Sequence, residues 1–270
     1  MRGRSRGRGG GGGGVVDLDT VTRRSLLGEE VVSMTAMGRD TGAGTGAGRE
    51  AGARADAAHA CRGLEDGRAS VRLRAALAMG TAPDPCFVDR LVERCGVEPE
   101  FFVRDMLTWA LTRHPVASTL PVLVREVRSE HAQARSQALH TLSKIGDRRA
   151  WPAITPALLR DADEEVARSA WRAAVVLVPE DGESALAEVL VTQLGRGGRE
   201  TRLSLSRALV ALGEAMVPAL RAAATAGDPD VRAHALATRR LLREPDTGFA
   251  AAIEEAKRVV ALGGAGREGR

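Results

Sequence analysis

The chain contains no tyrosine and no asparagine, only two lysines (Lys144 and Lys257), four phenylalanines and three tryptophans. With its abundant alanine and glycine, this is the skew of a GC-rich bacterial genome, and it carries no functional weight. Three cysteines, Cys61, Cys86 and Cys95, form no C-x-x-C pair and leave one unpaired in any arrangement. That excludes a disulfide framework and fits a reduced, cytoplasmic compartment. The longest apolar run, residues 173–178, is far below the roughly 20 residues a membrane-spanning helix needs, so no membrane partner is expected. Five histidines show neither H-x-x-x-H nor H-E-x-x-H spacing, and no metal ion is expected. Nucleophile-elbow, Walker and dinucleotide patterns are missing too. Residues 161–165 resemble a calcium loop in their first acids alone, lacking the glycine and the terminal glutamate. No cofactor and no catalytic residue is assigned.

The chain has few spare charges. Its formal charge is +4 and its pI about 9.6, yet Arg2, Arg4, Arg6 and Arg8 supply the whole excess. The rest is balanced, which argues against nucleic-acid binding by the body of the chain, since that binding rests on phosphate neutralisation. Residues 1–50 are Gly/Arg-rich and low in complexity, and are expected to be a disordered extension. A helix within residues 15–32 and a true start at Met34 or Met37 are both open, and the basic terminus runs into glycines rather than the apolar core of a secretory signal.

From about residue 50 the pattern becomes helical, with Pro, Gly and Asp between apolar-periodic segments. The spacing predicts hairpins at 50–63/68–79, 84–95/99–113, 116–128/131–145, 150–160/163–178, 183–194/199–212 and 215–226/229–243. A last helix, 248–262, is capped by Asp246-Thr247 and ended by Gly263-Gly264. Arg72, Arg104, Arg135, Arg168, Arg202 and Arg232 recur at intervals of 30–34 residues, a period that signals stacked helical pairs. With this arginine as position zero, residues −1, +3 and +7 form the packing stripe on the second helices, +7 failing only at Arg239 in the last. The fourth repeat also fits one residue earlier, on Val166 and Ala170. Trp171 is core in either frame. Pro121 and Pro218, each 14 residues before their repeat's arginine, are expected near the start of a first helix.

The segment Asp228-Pro229-Asp230-Val231-Arg232-Ala233-His234-Ala235-Leu236 resembles the second-helix signature of HEAT-like repeats. Residues 161–166 resemble the turn leading into such a helix, and Ile145-Gly146-Asp147 its end. The resemblance spans about 55–245 and is nearest to the short-repeat kind shared with phycobilisome-lyase-like proteins. It implies an all-α, right-handed superhelical solenoid of about six hairpins, with the array at 51–246, a capping helix at 247–263 and a loose tail at 264–270. It also implies a ladder of bonds from each repeat arginine to turn acids. Asp66, Asp161/Asp163 and Asp228/Asp230 qualify as turn acids, Glu98 stands in for the second repeat, and the third and fifth have no obvious partner.

Positions +1, +5 and +8 of the second helices turn away from the stripe, toward the inner face. They include Asp105 and Trp109 with Thr112, Ser136 with His140 and Ser143, and Leu203 with Arg207 and Val210. A tryptophan beside His, Asp and Arg on adjacent repeats has the composition of an interaction hot spot. Asp105, Trp109, His140, Ser143 and Arg207 are therefore the candidate binding residues of a non-enzymatic scaffold for a protein partner. Two alternatives follow from resemblance: a lyase-type or accessory activity, which would need either a reactive thiol, with Cys86 and Cys95 the candidates, or paired acid–base groups in a pocket, and nucleic-acid binding of the DNA-alkylation-repeat kind. Partner identity and oligomeric state stay open.

Overall fold

The computed structural model describes residues 57–244 and 248–265, so the expectations for 1–50, for the Asp246-Thr247 cap and for the end of the tail lie outside the described residues. All regular structure among the described residues is helical. The helices are α1 (57–64), α2 (Ala69–Thr81), α3 (Val88–Val97), α4 (Phe101–Arg113), α5 (Val116–Glu126), α6 (Ala132–Ile145) and α7 (Pro156–Leu159). Then come α8 (Glu164–Leu177), α9 (Glu183–Val191), α10 (Arg199–Ala211), α11 (Val217–Ala223), α12 (Pro229–Arg243) and α13 (Phe249–Ala265).

Packing joins chain neighbours. The long helices form one row, α2 on α4, α4 on α6, α6 on α8, α8 on α10 and α10 on α12, with α13 closing it on α12. Helices α3, α5, α7, α9 and α11, with the short segment Arg148–Ala153 between α5 and α7, form a second row. Two stacked layers in which each hairpin touches only its neighbours make a helical solenoid.

The stripe predicted to pack does so. Ala75, Leu107, Ala138, Trp171, Leu205 and Ala235 at +3 are all buried, as are Met79, Leu111, Leu142, Val175 and Leu209 at +7. Trp171 is fully buried and its indole Nε1 donates to the Leu159 carbonyl at 2.9 Å. Helix α6 ends as the pattern implied, with Gly146 in the left-handed region at φ 70°, a conformation that costs glycine no Cβ clash. The acids before α8 and α12 are caps: Asp163 accepts from the Glu165 and Val166 amides, and Asp228 from those of Asp230 and Val231.

Three local expectations need correction. The first helix of the fourth hairpin is a 3₁₀ segment, Arg148–Ala153, followed by the single α-turn of α7. Pro152 and Pro156 remove two amides there and break the segment. Pro121 sits inside α5 rather than near its start, whereas Pro218 does lie in the first turn of α11. Helix α13 continues through Gly263-Gly264 to Ala265.

The arginine ladder exists, with a polarity the sequence does not show. Arg72 Nη1 donates to the carbonyls of Asp66 and Gly67, six and five residues back. Its Nε and Nη2 clasp both oxygens of Glu98, in the next turn, at 2.7 Å. Arg135 repeats this, with Nη1 on the Ser129 and Glu130 carbonyls and Nε/Nη2 on Asp161 at 3.1 and 3.3 Å. Arg202 does so more loosely, reaching the Gly197 carbonyl at 3.1 Å and Asp230 at 3.4 Å. These forward rungs join hairpins one to two, three to four and five to six. The intervening joints are tied backward: Gln133 Nε2 donates to the Cys95 and Glu98 carbonyls at 3.0 and 2.9 Å. Arg196 donates to the Asp161 and Ala162 carbonyls.

That last contact fixes the frame of the fourth repeat. The carbonyls at −6 and −5 are those of Asp161 and Ala162, so position zero is Ala167, and Arg168 does not belong to the series. Arg196, supplied by the following turn, fills the role that the repeat's own arginine has elsewhere.

Candidate functional site

Correcting the frame redraws the inner face. Position +5 now reads Leu77, Trp109, His140, Arg172, Arg207 and Ala237 along α2, α4, α6, α8, α10 and α12. Four consecutive long helices thus contribute a tryptophan, a histidine and two arginines to one row, and Arg168 falls at +1 of the same face. Arg172 is the residue that sequence reasoning missed. The alternative alignment on Val166 and Ala170 was the available signal, but the arginine period outweighed it.

At one end of the row Trp109 is half-buried, its ring lying on Gly80 of α2. A Cβ at that glycine would come within 2.3 Å of Trp109 Cζ3 and 2.9 Å of the Ala110 Cα. Asp105, one turn earlier on α4, is exposed and makes no ion pair among the described residues. Ser143 is fully buried and its hydroxyl donates to the His140 carbonyl at 2.7 Å, so it faces no ligand. Ser136 is buried as well, donating to the Gln133 carbonyl. His140 itself is half-buried. Burial, reinforced by the charges of Arg172 and Lys144, pushes it down to about 3 and keeps it neutral at physiological pH.

Arg168, Arg172 and Arg207 converge on one small cavity of about 60 Å³, also lined by Glu200, Leu203 and Ser204. Arg168 and Arg172 share Glu165 as a distant ion-pair partner at 3.6 and 3.4 Å. The Arg168 Nε is buried without an acceptor. Arg207 is exposed and makes no hydrogen bond or ion pair among the described residues. Three arginines thus stand beside Glu165 and Glu200. Guanidinium forks held this way present paired donors to a carboxylate. The structure therefore brings His140 and Arg207 into one electropositive stretch through Arg172, while Asp105 and Trp109 stand on α4, outside it.

Cys86 and Cys95, the two thiols a lyase-type reading would use, are both held in the protonated form. Cys86 is exposed, but partial desolvation and the Asp84 carboxylate beside it push its thiol up to about 11. Cys95 is buried among apolar groups and pushed up to about 12. His234 is a structural group. Its Nδ1 accepts from the Gly195 amide at 3.1 Å, so Nε2 carries the proton, lying 3.0 Å from the Arg202 carbonyl and 3.0 Å from the Ser206 hydroxyl. Among the described residues no cluster of His, Cys, Asp and Glu is arranged to hold a metal ion, and no single helix is long and apolar enough to cross a membrane.

A family model described as HEAT repeats matches residues 99–175, the stretch from the second turn to the end of α8. Residues 99–175 of the array are thus similar to HEAT repeats. No curated protein matches the chain. Among solved structures, an engineered protein is similar at 20% identity with a TM-score of 0.40, covering 73% of this chain and 96% of its own. The complex of CpcE and CpcF of phycocyanin lyase from Nostoc sp. PCC7120 is similar at 16% identity with a TM-score of 0.34, covering 84% of this chain and 99% of that one. Neither likeness carries a function across. Function is read from the surface of a helical array, not from its fold.

Proposed function

We propose that the chain is a non-catalytic protein-binding scaffold whose inner face takes an acidic segment of a partner protein. The observation that carries this reading is Arg207, an exposed guanidinium without a partner among the described residues, sharing a cavity with Arg168 and Arg172. A carboxylate seated there would complete donors that the fold leaves open, and the row toward His140 and Trp109 supplies a polar and then an aromatic contact. The raised thiols of Cys86 and Cys95 speak against a thiol-based form of the lyase-type alternative.

The test is cross-linking capture from the native cell with wild type and Arg207→Glu, each checked by circular dichroism and melting. The expected result is a captured protein that is lost in Arg207→Glu and weakened by salt, with melting unchanged because Arg207 is exposed. Capture unaffected by Arg207→Glu refutes the site. A gel shift with single- or double-stranded DNA that survives removal of residues 1–50 and disappears in Arg207→Glu would replace the protein partner with nucleic acid.

A further inference from the structure

The turn edge of the array carries a second surface, independent of the inner face. Among the described residues, Phe101, Phe102 and Val97 are the large apolar residues left most open, at 63%, 76% and 65% exposure. They flank one turn, between the end of α3 and the first residues of α4. The two phenylalanine rings meet edge to face with centroids 5.6 Å apart, and the Arg104 guanidinium lies 6.0 Å from the Phe101 centroid. Phenylalanine and arginine are both enriched at protein interfaces.

The repeats themselves show what this arginine is built to hold. Arg104 uses Nη1 as Arg72 and Arg135 do, on the carbonyls of Glu98 and Pro99 at 2.9 and 2.6 Å. In Arg72 and Arg135 the remaining Nε/Nη2 edge clasps a carboxylate of the next turn. In Arg104 that edge has no acceptor among the described residues. Glu130, which lies as far along the chain from Arg104 as Glu98 does from Arg72, is exposed and unpaired; the joint is closed by Gln133 instead. Among the described residues the fold leaves two such forks vacant, those of Arg104 and of Arg232, whose Nη1 likewise takes the Ala226 and Gly227 carbonyls; of the two, the Arg104 fork stands next to the exposed aromatic pair. Helix α4 adds to this, because its N-cap residue Glu100 makes no side-chain cap, leaving first-turn amides open to an anion. The acids nearby are Glu100 and Asp105, both exposed and neither paired with Arg104; Glu98 is already committed to Arg72 and Arg94.

We infer that the Val97–Phe101–Phe102–Arg104 turn is a docking site for a short peptide that places a carboxylate next to an apolar side chain. The carboxylate takes the vacant Nε/Nη2 fork of Arg104, as Glu98 takes that of Arg72, and the apolar residue covers the phenylalanine pair.

The test is panning a random heptapeptide phage library on the full chain, followed by fluorescence-anisotropy titration of the strongest binder and of its Glu→Gln or Asp→Asn analogue. The expected result is enrichment of sequences with Asp or Glu within two residues of an aliphatic or aromatic residue. About a tenfold loss of affinity is expected in the amide analogue and in Arg104→Gln, the size of one charge-assisted contact. Because Arg104→Gln also loosens the turn, Phe101→Ser/Phe102→Ser is the second variant. Both side chains are exposed, so that protein keeps its fold and loses the peptide. Enriched peptides without acids, no enrichment at all, or binding that survives the phenylalanine pair's replacement each overturn the proposal. Arg207 lies on the inner face, so loss at one surface leaves the other readable.

Discussion

Glu98→Gln is the substitution that the ladder makes most consequential. Glu98 is completely buried, yet it accepts from Arg72 Nε and Nη2 at 2.7 Å, from Arg94 Nε at 2.9 Å and from the Glu100 amide at 2.9 Å. Burial alone would raise its pKa, but those donors outweigh it and bring the carboxyl from 4.5 down to about 2. At about 1.4 kcal/mol per pH unit, the lowering is worth about 3 kcal/mol. The amide keeps the shape but takes the charge away from Arg72, itself only 5% exposed, and breaking a buried pair in this way costs ~3–5 kcal/mol. The sign follows from the direction of the shift. A depressed carboxyl contributes its full stability above the unfolded value of 4.5 and loses it as the pH falls toward about 2. Urea unfolding followed by circular dichroism should therefore show Glu98→Gln about 3 kcal/mol less stable at pH 7, with the gap closing below pH 4.5. Because hairpins in a solenoid hold mainly their neighbours, hydrogen exchange should show the loss first in α1 and α2. A gap under ~0.5 kcal/mol at pH 7, or one that does not change with pH, would refute the reasoning.

Gly80→Ala sets helix propensity against packing. Alanine is favoured in a helix by about 1 kcal/mol, but its Cβ would meet the Trp109 ring at 2.3 Å and the α4 backbone at 2.9 Å, and overpacking of this kind costs ~1–3 kcal/mol. A lower melting temperature is expected, and an unchanged or higher one would show that α2 and α4 separate freely. Cys86, pushed up to about 11, should be about one part in ten thousand thiolate at pH 7. Mass spectrometry after brief iodoacetamide treatment should find it unmodified, with labelling rising steeply above pH 10; rapid alkylation at neutral pH would restore the thiol-based alternative.

The architecture was legible because its causes are local and repeated. Small and apolar residues at −1, +3 and +7 are spaced to meet a neighbouring helix, and a breaker falls wherever a turn is needed. Pro152 and Pro156 were equally visible, but a periodic count absorbs them into a helix they in fact dismantle. The row on which the inner-face site is proposed was half legible. Trp109, His140 and Arg207 lie on one row, while Ser143 was misplaced because helix rotation carries +8 under the neighbouring helix. Arg172 was hidden by an arginine one residue out of frame: spacing records where Arg168 stands in the chain, whereas the carbonyls of Asp161 and Ala162, held by Arg196, record where the repeat begins.

That displacement and the open fork of Arg104 have a common origin. Each repeat needs its turn carbonyls tied and its joint to the next repeat closed, and the chain has two ways to meet each need. Where the repeat's own arginine and the next turn's acid do both, as at Arg72 with Glu98 and Arg135 with Asp161, nothing is left over. Where Gln133 closes the joint from the other side, the fork of Arg104 has no internal acid to hold. Where Arg196 ties the turn of the fourth repeat, Arg168 is released from that duty and turns to the cavity it shares with Arg172 and Arg207. Consistent repeats make the body of an array, and the departures free charged groups for a partner. Both surfaces inferred for this chain stand where the repeat rule is broken and the stability is supplied by another residue.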